Sequence, residues 1–148
     1  MSNRKEEALR IFNEGFSCAQ AVFTVFAQDE DIDAETALRI AGGFGAGVCS
    51  GEICGAASGG VMALGTRFGQ HIPGDNGAKM NCRAKTTEFL DKFRRISGGN
   101  LRCHDILGYE YNSDEGQARF IESGDRARVC AKLVGDAVDI LEKMLGEA

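Results

Sequence analysis

The chain is expected to be all-α, and three features say so. No segment alternates polar and apolar residues with a period of two for long enough to make a strand. Apolar residues recur instead at helical spacing, and Ser, Asp or Asn stands where several of these runs begin. Its 148 residues amount to one ordinary domain with a core of its own. The expected architecture is a single compact bundle of about six to eight helices over residues 1–148, with a glycine-rich loop before the central helix.

In chain order, the first helix is expected from Asn3, read as its N-cap, to about Asn13, with Leu9 and Phe12 inward and Gly15 as the stop. Ser17 followed by Gln20 fits a capping box. It opens an apolar helix through Ala21, Val22, Phe23, Val25 and Phe26, with Cys18 at its first position. A thiol there sits at the positive end of the helix dipole, which favours thiolate. Asp33 caps a short helix to Ala41 that carries Leu38 and Ile40, and Gly42 ends it.

The stretch from Gly42 to Gly69 is the centre of the pattern. A loop with glycine at almost every second position leads into a helix expected over Glu52 to Phe68. No strand precedes the glycines, so a dinucleotide-binding fingerprint is excluded. Each interior glycine costs a helix about 1 kcal/mol relative to alanine, so Gly55, Gly59, Gly60 and Gly65 need a reason. Gly55, Gly59 and Ala63 share one face, a stripe of small residues that a neighbouring helix or a compact cofactor can approach closely.

After a turn-rich break at His71 to Gly77, a long amphipathic helix is expected from Ala78 to Ile96, with Met80, Phe89, Leu90 and Phe93 inward. Ser97-Gly98-Gly99 stops it. Asn100 then caps a short helix, Leu101 to Leu107, with Cys103 in its first turn and Gly108 at its end. A further short helix runs from Asp114 to about Glu122. The last runs from near Asp125 to about Leu145, with Val129, Leu133, Val134, Val138 and Leu141 on its apolar side and Cys130 in its second turn.

With 22 acidic and 17 basic residues and a net charge of −5, the chain lacks the clustered cations of a nucleic-acid surface. The polar N-terminus has no signal-peptide core and no apolar run is long enough to span a bilayer. A cytoplasmic protein without membrane insertion is expected. In a reducing compartment six cysteines point to metal binding, redox chemistry or plain burial rather than static disulfides. Cys18, Cys54, Cys103 and Cys130 fall at or near helix starts, where N–H donors offset the cost of a buried thiolate. If those ends converge, they make a soft-metal or redox site; four unrelated buried cysteines is the alternative. No short C-x-x-C pair and no βαβ pattern of a thioredoxin is present.

Taken in order, Cys18 within GFSCAQAV, Cys54-Gly55-Ala56-Ala57-Ser58-Gly59, Cys103 ahead of an Asp-Ile-Leu-Gly ending and Cys130 before Ala-Lys-Leu-Val resemble the C_GCAxxG_C_C family of putative redox-active proteins. The ordered set spans most of the chain and is far more specific than any member of it. The resemblance implies a site at Cys18, Cys54, Gly55, Ala56, Gly59, Cys103 and Cys130. A related domain occurs in split-Soret cytochrome, which carries an iron-sulfur centre beside its haems; this chain has no C-x-x-C-H haem attachment sequence.

Three functions follow from these residues. The first is an iron-sulfur cluster held by Cys18, Cys54, Cys103 and Cys130 for electron transfer or sensing, with Gly55 and Gly59 beside it. In the second, Cys18 or Cys54 acts as a low-pKa thiolate and a partner cysteine resolves the disulfide. The third is a non-catalytic zinc-binding or interaction module. Cys49, spaced C-x4-C from Cys54, is an extra ligand, a resolving thiol or a loop residue. Cys82 reads as core, His104 as a minor candidate beside Cys103 and His71 as an exposed turn residue. An electron-transfer or thiol partner is implied, a homodimer is an open expectation, and no carboxylate is nominated as catalytic.

Overall fold

The computed structural model describes residues 2–146. Among these residues there are eight α-helices and no strands: α1 Asn3–Asn13, α2 Cys18–Ala27, α3 Ala34–Ile40, α4 Gly55–Phe68, α5 Asn76–Ile96, α6 Cys103–Leu107, α7 Asp114–Ser123 and α8 Ala131–Met144. A short 3-10 turn, Gln28–Glu30, follows α2, and wide five-residue turns occupy Gly47–Gly51 and Arg126–Cys130. One core unites the elements, and the all-α expectation holds.

The centre is α2 rather than α4. Eight α2 residues are buried, including Val22, Phe23, Thr24, Val25 and Phe26, so it is apolar all round, as a helix enclosed by others must be. α1, α3, α4 and α8 pack about it, and α5 closes the bundle against α4 and α8. The predicted capping box starts it: Ser17 Oγ accepts from the Gln20 N–H, and Gln20 Oε1 accepts from the Ser17 N–H at 2.8 Å. α8 supplies the facing surface with Leu133, Val134, Val138 and Leu141 buried.

The small-residue stripe is used within the chain. A Cβ on Gly59 would stand 2.7 Å from the Ala19 carbonyl oxygen, and one on Gly55 would stand 2.9 Å from the Ala19 nitrogen. α4 therefore rides on the backbone of α2 with nothing between them, and the stripe is no surface for a second copy. Gly60 makes room for the Phe89 ring. Gly65 has nothing within 4 Å of its would-be Cβ, so close approach does not explain it.

Several boundaries differ from expectation. Ser2, not Asn3, caps α1, its side chain accepting from the Lys5 N–H at 3.1 Å. α4 starts at Gly55 and α6 at Cys103 because the residues before them pair with each other: Ile53 and Arg102 form an isolated antiparallel bridge. Met80 is exposed, since α5 buries only Phe89 and Phe93, both in its second half. Cys82 lies in the outer half and is half-buried outside the core, not part of it. Among the described residues, no helix is long and apolar enough to cross a membrane.

Candidate functional site

Backbone features place the cysteines one after another around a common space. Cys18 is the first residue of α2 and Cys54 caps α4. Because α4 presses on α2, a Cβ on Gly55 would lie 3.2 Å from the Cys18 Cβ, which sets Cys18 beside the Cys54-Gly55 junction. The bridge then fixes the next pair. Cys54 donates its N–H to the Leu101 carbonyl at 2.7 Å, and Cys103 donates its N–H to the Glu52 carbonyl at 2.6 Å. The Arg102 guanidinium closes this bridge from outside on the Glu52 carboxylate, its Nε at 3.0 Å. Cys130 ends the wide turn before α8, close enough to Cys18 that the two thiols shift each other's proton affinity.

All four sulfur-bearing residues line one cavity of about 520 Å³. Gly55 lines it as well, and Cys49 stands at its edge, exposed. Gly59 does not: its face is taken by Ala19. Phe12, Phe16, Tyr111, Phe120 and Arg126 complete much of the wall. None of these five was marked as a site residue from the sequence: Phe12 was read only as an inward residue of the first helix, Phe16 lies within GFSCAQAV without being singled out, and Tyr111, Phe120 and Arg126 belong to no local motif. A more open hollow of about 380 Å³ between α1, α2 and α8 holds no cysteine; it is bordered by the ion-paired Arg4 and Glu142.

The thiols differ sharply in proton affinity. Cys18 is pushed well above its ordinary range by its Cys130 neighbour and by burial. Burial lifts Cys54 to about 11, although the backbone N–H groups of Ala56 and Ala57 pull the other way. Cys103 rises to about 12, again chiefly through burial. Cys130 alone is lowered, first by its Cys18 neighbour and then by the Arg126 guanidinium. The expectation of a low-pKa thiolate at Cys18 or Cys54 is thus corrected: the Cys130 neighbour and burial at Cys18, and burial at Cys54, outweigh a helix N-terminus that offers only partial charge, and Cys130 is the one of the four whose proton is loosened.

The loop before α4 is strained. Ala46, Val48 and Cys49 all adopt left-handed φ values of 54 to 58°, a region that a β-branched residue such as Val48 rarely enters. Gly51, also left-handed at φ 72°, lies flat under the His104 imidazole, where a Cβ would come within 1.9 Å of the ring. His104 therefore packs on the loop and does not face the cavity, and its buried Nε2 has no partner. His71 is exposed, as expected.

Among the described residues no group of three or more His, Cys, Asp or Glu side chains is placed to hold a single metal ion. The four cysteines share a cavity without crowding around one point.

Residues 16–144 match the family model C_GCAxxG_C_C, described as a putative redox-active protein. The chain belongs to this family. No curated protein and no solved structure matches it. In this member of the C_GCAxxG_C_C family the ordered cysteines, far apart in sequence, meet at the starts of three helices and at the wide turn before a fourth.

Proposed function

We propose that Cys18, Cys54, Cys103 and Cys130 hold an iron-sulfur cluster that serves electron transfer or sensing. The observation that carries this reading is the shared cavity: four cysteines, brought in by four separate segments, line one space of about 520 Å³. Thiolates are the natural ligands of such clusters, whose potentials respond to hydrogen bonds and charge around the sulfurs. The surroundings suit that task. The backbone N–H groups of Ala56 and Ala57 lie near enough to Cys54 to favour its thiolate, Arg126 adds a positive charge near Cys130, and Gly55 leaves the α4 start without a side chain. When bound, the cluster would supply a one-electron couple; the chain holds it, shields it and sets its charge environment.

A zinc ion fits less well. Zn–S bonds of about 2.3 Å demand sulfurs only about 4 Å apart around one centre, and no such group stands among the described residues. A cluster spreads its ligands around several atoms and has no such demand. Anaerobically purified protein is expected to be brown, with iron and acid-labile sulfide in comparable amounts, and Cys→Ser changes at any of the four positions should lower both. Colourless protein lacking iron and sulfide after anaerobic reconstitution would end this reading.

One observation favours a second reading, a dithiol redox pair: Cys18 and Cys130 line the same cavity and stand close enough to shift each other's proton affinity in opposite directions. Oxidation by a peroxide would join the two sulfurs, the thiols giving up two electrons and two protons while the peroxide becomes two waters. Under mild peroxide, mass spectrometry of metal-free protein should then find a Cys18–Cys130 disulfide that dithiothreitol reverses. Random pairing, or none, would count against it.

A further inference from the structure

The cavity's lining is unusual for this chain in its charge. The protein carries 22 acidic residues and a net charge of −5, yet among the described residues no Asp or Glu lines the cavity, and Arg126 is the one Lys or Arg that does. That arginine is held without being neutralised. Its Nη2 donates to the Phe12 carbonyl at 2.6 Å and to the Phe16 carbonyl at 3.1 Å, and its guanidinium carbon sits 3.8 Å above the Phe12 ring. Among the described residues no carboxylate stands within ion-pair distance of it. The neighbouring Asp125 is turned away, accepting from the Tyr109 hydroxyl at 2.6 Å and from Arg128 at 2.5 Å. Two carbonyls and a ring fix the position of the cation without a carboxylate against it, and although the charge of Asp125 also reaches Cys130, the pull of Arg126 on that thiol is the larger of the two.

Another part of the wall is aromatic. Tyr111 and Phe120 meet edge to face, with ring centroids 4.8 Å apart, and both line the same space. A volume of about 520 Å³ lies in the range of small-molecule sites, which are mostly apolar with a few placed polar groups. We infer that the cavity takes a small organic anion beside the cysteines, with Arg126 binding its charged end and the Tyr111–Phe120 pair receiving an apolar or aromatic body. Carboxylates and sulfonates of modest size are the ligand class. A neutral molecule of the same shape leaves the cation uncompensated, and a cation is repelled. The inference holds for either redox reading and depends on neither.

Alkylation of the reduced, metal-free chain tests it, with mass spectrometry to assign each thiol. Iodoacetate and iodoacetamide attack the same thiolate but differ in charge, so their rate ratio at one sulfur cancels its thiolate fraction and reports the local field. Cys82, outside the cavity, is the internal reference. The ratio at the cavity thiols should exceed that at Cys82 several-fold, fall to the Cys82 level in R126M, and stay high in R126K, which keeps the charge. Sodium benzoate should slow iodoacetamide at the cavity thiols in the unmodified chain, and benzamide should not. A ratio no higher than that of Cys82, or equal protection by benzoate and benzamide, would overturn the proposal. Both comparisons are made within the unmodified chain, so they stand even if R126M fails to fold. Colourless protein would dispose of the cluster while leaving these results untouched.

Discussion

Two glycine-to-alanine changes on one helix should move stability in opposite directions. Both Gly59 and Gly65 lie inside α4, where alanine is favoured over glycine by about 1 kcal/mol. Gly65 has nothing within 4 Å, so G65A keeps that gain. At Gly59 the new Cβ would lie 2.7 Å from the Ala19 oxygen and 3.1 Å from its Cα, well inside the 3.4 Å where ordinary contact begins. These neighbours are backbone atoms and cannot rotate away. α2 must shift as a body, at a cost of about 1 to 3 kcal/mol for an overpacked core. G59A should therefore be the less stable of the two by roughly 1 to 3 kcal/mol, which at this chain length corresponds to about 3 to 10 °C in Tm. Circular-dichroism melts and urea titrations of the two variants measure this directly. Because the shift also carries Cys18 away from Gly55, G59A should take up less iron on reconstitution and G65A as much as the parent. If G59A melts together with or above G65A, the close packing of α4 on α2 is wrong.

Three further outcomes follow from individual residues. Val48 is exposed and left-handed; V48G relieves strain that typically costs about 1 kcal/mol or more without uncovering the core, so urea midpoints should stay level or rise, and a clear drop would show that the turn is not strained. Burial raises Cys54 from an ordinary 9.0 to about 11, so between these values the folded chain holds a proton that the unfolded chain has released, and stability falls as pH rises across that window. The loss for this one thiol is on the order of 3 kcal/mol; pH-dependent urea unfolding of metal-free C54A should lack that share of the decline, and identical pH profiles would refute the assignment. Tyr109 donates to the buried Asp125 carboxylate at 2.6 Å; Y109F leaves an acceptor short of a partner and should cost about 1 to 2 kcal/mol, with an unchanged melt counting against the contact.

What could be read from the sequence was what neighbouring residues decide among themselves. The Ser17–Gln20 box, the Asp33 cap and the inward faces of α2 and α8 depend on spacings of three or four residues, and the structure has them as expected. The four cysteines were legible as helix-start residues for the same reason. Their meeting was not, because it depends on pairings across the chain. The Ile53–Arg102 bridge shortens both α4 and α6, and neither segment alternates long enough to announce a strand. Nothing local singles out Arg126; only the assembled fold brings the Phe12 and Phe16 carbonyls to hold it against the cavity. The thiolate was misplaced for a related reason: helix position is visible locally, whereas burial and the Cys18–Cys130 contact belong to the assembled fold. Met80 and Cys82 were read as inward because α5 is periodic along its whole length, but only its second half carries buried side chains.

The irregular geometry of this otherwise regular bundle is concentrated at the cavity. The left-handed run at Ala46, Val48 and Cys49 brings two residues, Ala46 and Cys49, to its edge, and the wide turn Arg126–Cys130 brings both the cation and the thiol with the loosened proton to its wall. Wide turns and left-handed non-glycine residues are costly, and they persist where surrounding structure over-determines them, often at sites of function. Here the over-determination is visible: α2 and α8 bury their apolar faces in one core, and Asp125 ties the start of the wide turn to Tyr109 and Arg128. An ordinary helical start before α8 would satisfy the core equally well. It would not keep the same placement of Arg126 relative to Cys130, and that placement is the feature on which both the loosened proton and the anion site depend.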